Sequence, residues 1–227
     1  MSNPIKPTIK TEWFAIVFII LAFLSAVYFY QRFPEQVPTH WNFQGEVNGY
    51  SSPLIAAFMI PLIMVVLYLV FLFIPYLDPK KDQYTSFAMI YHKFKDLILV
   101  FLFIIYLLVG INSTGQPINI GFWMPIIVGI LFVSIGGLLE KVKMNWFLGI
   151  RTPWTLSSET VWAKTHKLSS RVLMLAGFLM ALTAFVPVKI KVILFILAIA
   201  LIVLALPIYS YILYAQENKN KNKTNNN

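Results

Sequence analysis

Residues 119–162 read NIGFWMPIIVGILFVSIGGLLEKVKMNWFLGIRTPWTLSSETVW, an uncharged apolar run followed at once by a basic, tryptophan-rich loop. A helix crosses the hydrocarbon core of a bilayer with ~20 apolar residues. The run 119–139 has that length and no charge, so it predicts a transmembrane helix. Beyond it come Glu140, Lys141 and Lys143, and Gly149 and Pro153 break the chain.

Five further apolar runs lie outward from this one, at 13–30, 54–77, 97–111, 172–187 and 192–215. The third and fifth of the six spans in chain order are the shortest, and each has to borrow flanking residues. The chain of 227 residues is 59% hydrophobic and 12% charged, with mean hydropathy +0.74. Soluble domains sit near ~45–50% apolar and ~25% charged, so the fold class is all-α, a polytopic membrane protein of six transmembrane helices. Cysteine is absent, which excludes disulfides and thiolate chemistry. The net charge of +9 falls in short blocks between apolar runs, a pattern suited to a lipid bilayer with anionic headgroups and not to direct nucleic-acid binding. Lys6 and Lys10 precede the first run, but no A-x-A-like site follows Tyr30, so the first helix reads as uncleaved.

Lysine and arginine are retained on the cytoplasmic side, and their distribution orients the bundle. With both termini inside, fifteen fall on inner segments, and Arg32, Lys189 and Lys191 alone fall outside. The expected organisation is an N-terminal unit over 1–77 and a linking segment with the third helix over 78–118. A C-terminal unit over 119–215 and a disordered basic tail over 216–227 follow.

The outer segment 31–53 contains Pro34, Pro38, Gly45, Gly49 and Pro53, so it reads as an ordered loop or a short hairpin. Gly45 and Gly49 form a GxxxG outside any apolar helix, where its dimerisation meaning does not apply. In 78–96, Phe87, Ile90, Tyr91 and Phe94 recur at helical spacing among lysines, predicting an interfacial helix. In the inner loop, Ser157 or Ser158 followed by Glu159 is a helix start. From there Val161, Thr165, Leu168, Val172 and Leu175 form one stripe, with Lys164, Lys167 and Arg171 on another face. This basic amphipathic helix feeds the fifth span, and at roughly 1 kcal/mol per basic residue near anionic lipid it can hold the loop flat on the membrane, with Trp146, Trp154 and Trp162 as interfacial anchors.

The run NWFLGIRTPWTLSSETVWAKTHKL, starting at Asn145, resembles the signature of SdpI-type membrane proteins. The outer sequence FPEQVPTHWNFQGEVNGY, starting at Phe33, is similar to the P-x-H-[WF]-N-x-x-G-x-x-[DN]-G pattern of the uncharacterised domain that commonly precedes the SdpI domain. Together the resemblances cover nearly the whole chain except the tail. They imply a bacterial immunity protein protecting its cell from a secreted peptide toxin that acts on membranes. They also imply signalling, by holding a cytoplasmic transcriptional repressor at the membrane. Candidate partner- or lipid-binding residues on the inner loop are then Asn145, Gly149, Arg151, Thr152, Pro153, Trp154, Trp162, Lys164 and His166. Candidate toxin contacts on the outer loop are Pro38, His40, Trp41, Asn42, Gly45 and Gly49.

His40 with Glu35 and Glu46 could hold zinc, but their spacing matches no ligand motif, and a bond from His40 to loop backbone is the plainer reading. No HExxH or nucleophile elbow occurs, so neither an enzyme nor a cofactor is expected. The six apolar runs lack ionisable residues, Glu140 lying just past the fourth, which argues against a charge-coupled carrier. Pro61, Pro75, Pro125 and Pro207 read either as kinks or as openings around a cavity, which keeps a small-molecule or lipid transporter as the alternative. Gly136, Gly137, Gly177 and Ala181 permit close helix packing. Arg151, set between Gly149 and Pro153, suits a lipid headgroup or an acidic partner surface, or is one more orienting charge.

Overall fold

The computed structural model describes residues 4–225. Its helices are α1 (Ile9–Tyr30), α2 (Pro53–Leu77), α3 (Tyr84–Ser113), α4 (Ile120–Leu139), the short α5 (Pro153–Ser157), α6 (Glu159–Leu182), α7 (Val188–Ala200) and α8 (Leu206–Asn225). Six helical segments are long and apolar enough to cross a membrane, α7 and α8 forming one through a π-helical turn at Leu201–Ala205. That turn sits just before Pro207, whose missing N–H cannot sustain the regular ladder. Successive spans alternate in direction, so the bundle has a basic end, with 78–83 and 140–158, and a hairpin end, with 31–52.

Helix starts follow from local chemistry. Thr8 and Thr11 form a reciprocal capping box at α1, and Pro53 occupies the first turn of α2. Asn119 and Ser158 accept backbone N–H groups at the starts of α4 and α6. Alanines 15, 22 and 26 let α1 approach Met64 of α2 and Leu99 and Phe103 of α3. Between α4 and α6, a Cβ on Gly177 would fall 2.9 Å from Phe132 Cβ, and one on Gly129 2.9 Å from Ala181 Cβ. Gly136 packs as tightly on Ser170 and Met174, whereas Gly137 has no such neighbour and its expected packing role is not seen.

Three of the helix prolines have their broken hydrogen bond repaired from another element. A proline at position i leaves the carbonyl of i−4 without its N–H, which is costly in hydrocarbon. Tyr106 Oη donates to Ala57 O at 2.8 Å, four residues before Pro61. Tyr91 Oη donates to Phe71 O at 2.6 Å, four before Pro75. Lys191 Nζ donates to Gly121 O at 3.1 Å, four before Pro125.

Several expectations are corrected. Residues 84–96 are no separate interfacial helix: they are the first turns of α3, with Tyr84, Phe87, Tyr91 and Lys95 buried at helical spacing and a kink at Phe87. The spans do carry charge, because α1 starts before Glu12 and α3 before Lys95, and both side chains are buried. The helix after Ser158 does feed the fifth span, α6 running unbroken from Glu159 to Leu182. Its buried stripe passes through Thr165, Ser169 and Leu173 instead of Leu168 and Leu175. The expected disordered tail is helical to Asn225, while residues 226–227 lie outside the described residues. Propagating an existing helix avoids the nucleation cost, and Glu217 pairs with Lys221 at 2.7 Å, one turn on.

Candidate functional site

At the basic end, the segment after α4 is organised around Asn145, which is fully buried. A carboxamide has two donors and two acceptor positions, and all four are used. Its Nδ2 donates to Lys143 O at 2.8 Å and Leu148 O at 3.0 Å. Its Oδ1 accepts from Phe147 N at 2.9 Å and Leu148 N at 2.6 Å. The loop then turns at Gly149, whose φ of +111 disfavours a side chain. A Cβ there would also strike the ring of His166.

His166 lies within α6 and is fully buried. Ile150 N donates to its Nε2 at 3.1 Å, so that nitrogen carries a lone pair and the ring proton sits on Nδ1. Nδ1–H donates to Trp162 O at 2.9 Å, and the imidazole stacks on Trp162 with ring centroids 4.0 Å apart. Trp162 Nε1 donates to Val142 O at 2.9 Å. Both rings are therefore internal fasteners. Trp162 is buried and is not the interfacial anchor expected of it, while Trp146 is exposed.

The second half of the loop is fastened mainly by hydroxyls. Thr152 and Thr155 form a capping box that starts α5 at Pro153. Thr155 Oγ1 also donates to Ile150 O at 2.9 Å, and Thr152 Oγ1 meets Ser210 Oγ of α8 at 3.0 Å. Trp154 packs on Tyr211, and Ser158 Oγ donates to Glu217 at 2.6 Å. Arg151 is exposed; its Nη1 donates to Trp146 O at 2.6 Å, leaving most of the guanidinium fork facing outward. Lys164 is exposed as well.

Asp78, at the end of α2, escaped the sequence reading and ties this loop to the N-terminal half. Its buried carboxylate accepts from Trp146 N at 2.9 Å, Tyr84 Oη at 2.8 Å and Lys80 N at 2.7 Å. Only its position before Pro79 could have flagged it, as a helix end.

At the other end, 31–53 forms an antiparallel hairpin of β1 (Val37–Trp41) and β2 (Val47–Ser51). Asn42 holds the turn, its Oδ1 accepting from Gln44 N and Glu46 N. Gly45 has φ +85 and rests against Gly121 at the start of α4. Gly49 faces His40, where a Cβ would lie 2.9 Å from His40 Cβ. His40 Nδ1–H donates to the Asn48 side-chain oxygen at 2.5 Å, so its partner is a side chain and not loop backbone. Among the described residues no His, Asp and Glu group is placed to hold a metal ion. Pro38, on β1, is partly buried and pairs with Tyr50. Residues 39–43 of the hairpin line one side of a mainly apolar cavity of about 340 Å³, completed by Ile105, Met124, Val128, Met180, Lys191 and Phe195. The structure thus separates the two sets of candidate residues by the thickness of the bundle.

Residues 141–210 match the SdpI/YfhL protein family, and residues 17–65 match a domain of unknown function, DUF1648. The chain is 31% identical over 176 residues to Immunity protein SdpI of Bacillus subtilis strain 168, covering 78% of this chain and 82% of that protein. No solved structure matches the chain. With its six apolar spans, this multi-pass protein of the cell membrane belongs to the SdpI family.

Proposed function

We propose that this protein is an immunity protein, protecting a bacterial cell from a secreted peptide toxin that acts on its membrane. The observation that carries this reading is the likeness to Immunity protein SdpI, which runs through both halves of the chain. The distribution of lysine and arginine supports a cytoplasmic basic end and an outward hairpin. The hairpin and its apolar cavity are then the first surface an arriving peptide meets. The Arg151 loop faces the cytoplasm, where its exposed guanidinium, anchored through Nη1, suits an acidic partner such as a repressor held at the membrane.

Expression in a sensitive bacterium, with survival measured against membrane-active peptides of the SdpI-associated kind, tests the reading. Protection that falls with His40→Ala supports toxin contact at the hairpin; no protection by the wild-type protein sinks the immunity reading. Reporter fusions at Gly45 and Ser158 should report opposite compartments. A transporter is the second reading, favoured by the buried Glu12 and Lys95. Substrate-dependent flux in proteoliposomes without protection would establish it instead.

A further inference from the structure

Where α1, α2 and α3 meet at the basic end, two carboxylates share one ammonium. Lys95 Nζ binds Glu12 Oε2, reaches Thr11 O at 3.4 Å and stands 3.7 Å from Asp96 Oδ1. His92 completes the group, its Nδ1 lying 3.5 Å from Glu12 Oε1. Glu12 and Lys95 are almost wholly buried. With His92 neutral, these four side chains carry one net negative charge, which burial strongly disfavours unless it is compensated. No charge on the neighbours offsets it: the facing Tyr68 of α2, which interacts with the Glu12 carboxylate through its hydroxyl and places its ring 5.5 Å from Lys95 Nζ, and Tyr91 of α3, already donating to Phe71 O, are both neutral. The nearby Lys10 and Lys93 are exposed.

The hydrogen-bond pattern shows the same deficit. Glu12 Oε1, His92 Nδ1 and Asp96 Oδ1 are buried and have no hydrogen-bond partner. The two carboxylate oxygens can only accept, His92 Nδ1 accepts or donates according to its tautomer, and the one ammonium, Lys95, is directed at Glu12 Oε2 and Thr11 O. Beside them is a cavity of about 10 Å³ bounded by Ile5, Pro7, Pro75, Glu12, His92 and Lys95. That volume is on the order of one water. An ammonium at the centre of the group repels metal cations, whereas a proton can settle on either carboxylate or on the His92 ring.

We propose that Glu12, His92, Lys95 and Asp96 form a binding site for one exchangeable proton within the membrane-spanning bundle, reached through this water-sized chamber under the N-terminal segment. The site is independent of the immunity reading. Binding a proton neutralises the cluster and supplies the missing donor; releasing it leaves two carboxylates competing for Lys95.

The test uses the full chain in lipid nanodiscs, with pH stepped through neutrality. Infrared difference spectra report protonated carboxyls, and nitrogen NMR reports the histidines. The wild type should take up about one proton at the cluster, read from the carboxyl bands and the His92 resonance. Glu12→Gln and Asp96→Asn should each abolish that uptake, because removing either negative charge leaves the cluster neutral. His92→Asn should retain the uptake and confine it to the carboxyls. Asp96 is only partly buried, so Asp96→Asn decides the matter if Glu12→Gln does not fold. A wild type with no proton uptake at these groups, or uptake unchanged by Asp96→Asn, overturns the proposal.

Discussion

At the basic end of the bundle, two polar cores lie next to each other and use opposite chemistry. The seam of α1 and α3 buries ions, Glu12 against Lys95, whereas the segment 140–166 buries neutral groups, Asn145, Thr155 and His166. Asp78 and Tyr84 stand between them. In the neutral core the donors and acceptors of Asn145 and the His166 ring are all matched, and the Thr165 hydroxyl, left without a partner, carries no charge, which makes a fixed shape. In the ionic core three polar atoms are left without a hydrogen-bond partner, which makes a site that can change state. The contrast suggests a rigid loop for presenting a surface and a seam able to respond to its surroundings.

The largest expected effect comes from breaking the ionic core. Lys95→Met strands Glu12 and Asp96 and should cost about 3–5 kcal/mol in reversible unfolding from mixed micelles. Combining it with Glu12→Gln should recover part of that loss; strictly additive losses would show that the two ions are not coupled. Next, Asn145→Ala orphans the carbonyls and N–H groups that the carboxamide satisfied, costing about 2–4 kcal/mol by the same measurement. Asn145→Asp keeps the acceptors but aims a carboxylate at two carbonyls, and a near-neutral result would contradict the four-bond geometry.

Gly149→Ala combines a left-handed backbone with a collision at His166 and should cost about 1–3 kcal/mol. Loss of the His166 resonance pattern that marks a proton on Nδ1 would accompany it. Tyr91→Phe exposes the Phe71 carbonyl and should cost about 1 kcal/mol. In a Pro75→Ala background that carbonyl regains a helical N–H, so the same change should cost less; an equal cost would refute the repair. The smallest effect belongs to Arg151→Ala, below about 0.5 kcal/mol because the side chain is exposed. A large loss of stability there would mean that Arg151 holds the loop instead of presenting it.

Legibility from sequence followed the range of the interactions. The apolar run 119–139 announced its helix because length and lack of charge are local properties, and Ser158 announced the start of α6 through its own hydroxyl. The loop from Asn145 to His166 stood out because its fasteners lie within a few turns of one another. Charge ended the first and third apolar runs in the reading, so Glu12 and Lys95 fell outside both spans. Their pairing joins residues 83 apart and is invisible until α1 and α3 are packed.

The amino-acid sequence alone determined that this is a six-span membrane protein with a basic end, an ordered outer segment and an SdpI-like loop, because hydropathy, charge placement and turn residues act over short stretches. Tertiary structure alone decided how that composition becomes tolerable in a membrane. It matched Tyr91 and Tyr106 to carbonyls freed by prolines, closed Asp78 onto Trp146, and brought two acids to one lysine. The physical reason is that in hydrocarbon each polar group must find its partner inside the protein, and which partner lies within reach depends on how the helices pack.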